Sequence, residues 1–238
     1  MPDAPRRLVF SDVDETLISG KSLFDFLDFY FAARHGTDGT RHAAGTRRRI
    51  AALVAGGAPR EVGNRAYYEA WRGERLDVVT AWGATWFEQR RTTPGFYLAA
   101  THTALREHRK AGDRIVLVSG SFPAVVDPVA ADIGACHVLC TRPEVRDGIL
   151  TGAVVGEPCI GEGKRRAVRG LAEDYPDIDL ADCYGYGDHL SDLPMLTEVG
   201  HPVVVGGSAE LLARIPGARV LPVGALVRDP GGVGAAGR

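Results

Sequence analysis

Lysine is nearly absent. The 238 residues hold three lysines, at 21, 110 and 164, against 25 arginines. A lysine kept in such a background invites a specific reason. Cysteine is also scarce: Cys136, Cys140, Cys159 and Cys183 form no CxxC pair. That spacing argues against a disulfide framework or a structural zinc site, and for reduced, partly buried thiols. No apolar run approaches the roughly 18 to 20 residues that a membrane-crossing helix needs. The start, MPDAPRR followed by LVF, lacks the apolar core of a secretory leader, and a cytoplasmic setting is expected. Excess charge of one sign is missing too, at a net −2, so bulk electrostatics favours neither a nucleic-acid partner nor a membrane surface.

What remains is an ordinary soluble composition, 45% hydrophobic and 24% charged, with material for a real core. Short apolar bursts end in polar loops: Leu8-Val9-Phe10 before Ser11-Asp12, Ile115 to Val118 before Ser119-Gly120-Ser121, Cys183 to Tyr186 before Gly187-Asp188, and Val203 to Val205 before Gly206-Gly207. Each is followed by helical spacing. Strand–loop–helix units in series predict an α/β fold, a doubly wound parallel sheet with helices on both faces. Ligands of such sheets bind at the carboxyl ends of the strands, where every polar motif just named falls.

Two stretches break the alternation. Residues 20–93 carry helical spacing only, with Ser22 placed to cap a first helix and Pro94-Gly95 marking the return. This reads as an inserted α-helical cap, with 1–19 and 94–228 as the α/β core. Residues 135–160 read as a hairpin turning near Asp147-Gly148. The Gly- and Ala-rich stretch 229–238 has little to bury and reads as a flexible tail.

The chemistry sits at the strand ends. Asp12 and Asp14 are two apart and face one site. Converging carboxylates repel, so they need a cation such as Mg²⁺ or a division into nucleophile and proton carrier. Ser119 and Gly120 offer a hydroxyl and backbone N–H groups to a phosphate oxygen. Lys164, at the start of a helical run, offers a point charge. Asp188 and Asp192 lie four apart across a strand-to-helix turn. Taken singly, each motif also fits a helix cap or a solvated turn.

In this order, DxDxT, SGS, Lys and GDxxxD resemble the haloacid dehalogenase superfamily of phosphohydrolases. VSGSF (118–122) and YGYGDHLSDLPML (184–196) are similar to its phosphoserine phosphatase-like group (subfamily IB), whose members carry a C1-type helical cap. The resemblance implies a Rossmann-like core and a Mg²⁺-dependent phosphatase of a small phosphorylated metabolite, acting through an aspartyl-phosphate. It implies Asp12 as nucleophile and Asp14 as proton donor and acceptor. Ser119, Gly120 and Lys164 would hold the phosphoryl group. Asp12, the Asp14 carbonyl and Asp188 would bind the metal, and Asp192 would support the metal or Lys164. Phosphoserine phosphatases carry a glutamate for the substrate ammonium where this chain has Lys21. Lys21 is therefore expected to bind substrate, and phosphoserine is not favoured. A phosphotransferase or mutase using the same intermediate, or a non-catalytic phosphometabolite-binding protein, are the rival readings. A monomer or homodimer is expected.

From Arg34 to Arg75 nine arginines face four acidic residues. That is suited to steering an anion, although most are expected to be solvated. The aromatic stripe Phe24, Phe26, Phe29, Tyr30 and Phe31, and Trp71, Trp82 and Trp86, are expected to pack the interior of the cap.

Overall fold

Alternation within the apolar runs sorts side chains onto two faces. The structure, a computed structural model, describes residues 7–223; the 229–238 stretch lies outside them. The strands are β1 (Leu8–Ser11), β2 (Arg114–Ser119), β3 (His137–Cys140), β4 (Pro143–Arg146), β5 (Ile149–Val154), β6 (Tyr184–Gly187), β7 (His201–Val205) and β8 (Arg219–Leu221). Leu8, Phe10, Val116, Val118 and Val204 join one apolar core, and Val9, Ile115, Leu117, Val203 and Val205 the other. A strand apolar on both faces must be covered on both.

Six strands form one parallel sheet in the order β3-β2-β1-β6-β7-β8. After β1 the chain builds outward to β2 and β3, then returns to place β6 on the other side of β1. Strand order reverses beside β1, so a crevice opens there at the carboxyl ends.

The covering helices are α1 (Ser22–Ala55), α2 (Arg60–Glu69), α3 (Leu76–Arg90), α4 (Ala99–Lys110), α5 (Pro123–Ile133), α6 (Glu162–Glu173), α7 (Leu193–Leu196) and α8 (Ala209–Arg214). Helices α6 to α8 supply Val168, Leu171, Met195, Leu196 and Leu211 to one face. On the other face the core runs without a break from α4 and α5 into α1, α2 and α3.

Helix α1 is bent at Gly36, whose φ of 57° and ψ of −134° lie outside helical space and suit glycine. Trp71, buried, stacks on Phe26 at 5.3 Å between centroids and leans on Phe122 at 5.4 Å. Phe122 directly follows the SGS segment, so one aromatic cluster binds the helical layer to the strand-end loops. Truncating a ring buried in this way costs about 3–5 kcal/mol. Gly83 of α3 lies so close to α5 that a Cβ there would stand 1.8 Å from the Ala124 carbonyl oxygen. Trp86 and Phe26 are buried as expected, whereas Phe24 and Trp82 are only partly covered.

The stretch 135–160 divides between two sheets. β3 is the edge of the main sheet, and only β4 and β5 pair as a hairpin. Asp147 and Gly148, at φ 51° and 77°, make its turn. The hairpin docks on the loop between α2 and α3. Gly73 N–H donates to Leu150 O, Leu150 N–H to Glu74 O and Leu76 N–H to Gly148 O, each at 2.9 Å. Two short strands look alike in sequence; which partner edge is vacant decides where each pairs.

Candidate active site

The β1 ladder runs one residue past the strand, with Asp12 N–H donating to Tyr186 O at 2.9 Å. The chain then turns tightly. Leu17 and Ile18 N–H both donate to Val13 O, and Glu15 takes a φ of 61°. A left-handed glutamate costs on the order of 1 kcal/mol. Val13 is buried in the core, and the alternation leaves Asp12 and Asp14 facing the crevice.

Lys164 is on the first turn of α6 with its side chain 3% exposed. Its Nζ stands 2.5 Å from Asp12 Oδ1 and 2.7 Å from Asp192 Oδ1. The other Asp192 oxygen accepts from the N–H groups of Asp188 and His189, at 3.2 and 3.1 Å. Asp192 is thereby committed to Lys164 and to the strand-to-helix turn. Asp14 Oδ1 accepts the Ser22 N–H at 3.1 Å. This reverses the expected cap: Ser22 makes no side-chain cap, and Asp14 satisfies a free donor at the start of α1 instead. Asp188 Oδ1 accepts from the Thr16 hydroxyl at 2.9 Å. Ser119 is buried, and its Oγ accepts the Ser121 N–H at 3.0 Å.

The charges do not balance. Asp12, Asp188 and Asp192 place carboxylate oxygens within 4.8 Å of one another, with one ammonium among them. Burial lifts Asp12, and Lys164 only partly opposes it. Burial likewise moves Asp14 up to about 6, against the Ser22 contacts, and Asp188 up to about 6, with Asp192 adding to the rise. Burial pulls Lys164 down, but Asp12 and Asp192 outweigh it and keep the ammonium charged. Such a site favours a further cation. Lys164 and two N–H donors occupy Asp192, so the oxygens left for a hard oxygen-seeking ion belong to Asp12 and Asp188. The donor set fits Mg²⁺.

These groups floor a cleft of about 470 Å³. All eight residues singled out from the sequence line it: Asp12, Asp14, Lys21, Ser119, Gly120, Lys164, Asp188 and Asp192. Its far wall comes from α1 and α2, with Leu23, Phe24, Ile50, Val54 and Tyr67. Phe24 therefore faces the cleft instead of the interior. Lys21 and Arg60 stand at the rim, where Lys21 pairs with Glu15 at 3.2 Å. Arg60 is the one of the nine arginines in that cleft lining; Arg47 pairs with Asp28 and Arg49 with Glu69 outside it.

Sequence reasoning assigned no role to Thr16, although it closes DxDxT, nor to Asn64 and Tyr68. The last two sit in an arginine-rich helix with no motif around them. Both donate to the carbonyl oxygen of Gly120, at 2.9 and 3.0 Å.

A family model described as haloacid dehalogenase-like hydrolase matches residues 9–197. A probable phosphatase of Mycobacterium tuberculosis is 47% identical over 100 residues, covering 41% of this chain and 33% of that one. A phosphoserine phosphatase of the same organism is 30% identical over 221 residues, covering 85% of this chain and 65% of that one. The chain thus spans only part of these relatives. A crystal structure of a Bordetella pertussis protein of unknown function superposes with a TM-score of 0.78, at 24% identity, over 93% of this chain and all of that one.

Proposed function

The chain belongs to the family of haloacid dehalogenase-like hydrolases, and from that premise we propose that it is a Mg²⁺-dependent phosphatase of a small phosphate monoester. The observation that carries the reading is the buried Asp12–Lys164–Asp192 group. Its ammonium is placed to offset the charge of an anionic nucleophile meeting an anionic phosphate. We take residues 20–93 as the cap and 94–228 with 1–19 as the core.

In the first half-reaction a carboxylate oxygen of Asp12 bonds to phosphorus and the ester P–O bond breaks. Asp14 gives its proton to the leaving oxygen. Its raised affinity for a proton, set by burial, suits that task. In the second, Asp14 takes a proton from water, the water oxygen bonds to phosphorus, and the Asp12–phosphorus bond breaks. Ser119, Gly120 and Lys164 hold the phosphoryl oxygens throughout. Asp12, the Asp14 carbonyl and Asp188 would hold a Mg²⁺, which would supply charge neutralisation at the phosphoryl group. Asp192 orients Lys164, and Thr16 orients Asp188.

The substrate is a small phosphorylated metabolite with no ammonium group beside Lys21. Phosphoserine, the substrate in one relative's name, would set an ammonium against Lys21 and Arg60 at the rim. Four free cysteines fit work in a reducing, cytoplasmic setting.

The test is phosphate release from phosphoserine, sugar phosphates, nucleotides, phosphocholine and polyol phosphates, with Mg²⁺ and with EDTA. Release that EDTA abolishes, with phosphoserine poorly used, is the expected outcome. Metal-independent release would overturn the mechanism. Transfer of the phosphoryl group to an added alcohol with none to water would make the protein a phosphotransferase.

A further inference from the structure

Two side chains of α2 grip one backbone atom of the core. Asn64 Nδ2 and Tyr68 Oη both donate to the carbonyl oxygen of Gly120, which fills the two acceptor directions of that oxygen. The assignment of the Asn64 amide follows from this contact, since a carbonyl oxygen takes only the nitrogen.

A peptide unit is planar, with its C=O and N–H directed oppositely. Fixing the Gly120 oxygen therefore fixes the Ser121 N–H, which points at Ser119 Oγ 3.0 Å away. With a lone pair engaged there, the hydroxyl proton of Ser119 is left to be directed at another acceptor, and Ser119 lines the cleft. The far side of the loop is pinned separately, by Thr141 N–H on Ser121 O at 2.9 Å.

Asn64 is held at a local cost. It is 6% exposed, and its Oδ1 has no hydrogen-bond partner among the described residues. A buried acceptor without a donor is unfavourable, so stability alone would favour an apolar residue of that size. Gly120 has no room for a side chain, because a Cβ there would lie 2.8 Å from Ile160 Cγ1.

We propose that Asn64 and Tyr68 are positioning residues that act through the Gly120 carbonyl and the Ser121 N–H to aim the Ser119 hydroxyl at the phosphoryl group. Docking of α2 on the core then completes the phosphoryl-binding loop. Helix α2 also supplies Tyr67 to the wall that meets the rest of the substrate, so a seated substrate and a finished loop go together. The inference rests on reading the cleft as a phosphoryl site.

The test uses the full chain with Asn64→Leu, Tyr68→Phe and the double variant. Inorganic phosphate is titrated calorimetrically in the presence of Mg²⁺, 4-nitrophenyl phosphate turnover is followed, and melting temperatures are recorded. Loss of one neutral hydrogen bond should weaken phosphate about three- to tenfold in each single variant. The double variant should lose more than the product of the two, because the carbonyl is then bare. Melting of Asn64→Leu should hold or rise. In a Ser119→Ala background the same changes should add little, since the relay ends at Ser119. Unchanged phosphate affinity in the double variant, or equal losses with and without Ser119, overturns the proposal. A wild type that binds phosphate yet hydrolyses no ester sinks the phosphatase reading while the affinities still decide the relay. A wild type that binds no phosphate sinks both.

Discussion

The floor and the wall of the cleft are built on different principles. The floor is charged, mostly buried and tied by hydrogen bonds: Lys164 between Asp12 and Asp192, Asp188 under Thr16, Asp14 on the first N–H of α1. The wall is apolar, with Leu23, Phe24, Ile50, Val54 and Tyr67, and its charges stand only at the rim. A floor of this kind is indifferent to what the phosphate is attached to. On the proposed reading it meets the reacting atoms, and its parts are held by strand ends and helix starts. On the same reading the wall, carried by α1 and α2, meets the leaving group. Chemistry and selection would thus be divided between two parts of the chain, joined by the aromatic cluster around Trp71 and Phe122, by Gly83 against Ala124 and by the α2 donors on Gly120.

Mutations should respect that division. The largest effect is expected from Asp12→Asn, which keeps the shape of the floor and removes the proposed nucleophile. Turnover of every ester should fall by a factor of about 10⁴ or more, as for lost nucleophiles elsewhere, with the circular dichroism spectrum unchanged. An active Asp12→Asn protein would break the assignment of chemistry to the floor. Next is Lys164→Ala. Two buried carboxylates lose their partner, so turnover and phosphate affinity should fall together, and stability by about 3–5 kcal/mol, read by urea unfolding. If stability alone changed, Lys164 would be structural. The smallest effect belongs to the wall side. Lys21→Glu should raise the preference for phosphoserine over a polyol phosphate by about tenfold, a difference of roughly 1.4 kcal/mol. The 4-nitrophenyl phosphate rate should stay within about twofold. Equal changes for all esters would place Lys21 in the floor.

Much of the floor was legible in advance because its residues announce themselves locally. Asp12, Asp14, Lys164 and Asp188 each sit where an apolar burst ends or a helix begins, and tertiary structure has only to bring those ends to one sheet edge. The parallel sheet follows from runs apolar on both faces. Less was legible where the partner is remote. Nothing near Asn64 or Tyr68 points to the Gly120 carbonyl. Asp14, on the face of it a residue of the floor alone, also closes the start of α1, where Ser22 looked the better cap. The stretch 135–160 read as one hairpin turning near Asp147-Gly148, yet its first part, β3, took the open edge of β2. Phe24 belongs to an aromatic stripe of which Phe26, Tyr30 and Phe31 are buried, and its place in the cleft lining depends on how α1 rotates against α2.

The sequence by itself determined the fold class, the strand ends that carry the charges and the identity of the charged residues. These depend on periodicity and on which residue types sit at element boundaries, both local properties of the chain. Only the tertiary structure decided that Asp192 serves Lys164, that one arginine of nine reaches the cleft, and that α2 grips the Gly120 carbonyl. Those outcomes depend on distances between segments far apart in sequence, which packing of the two cores sets and no local pattern records.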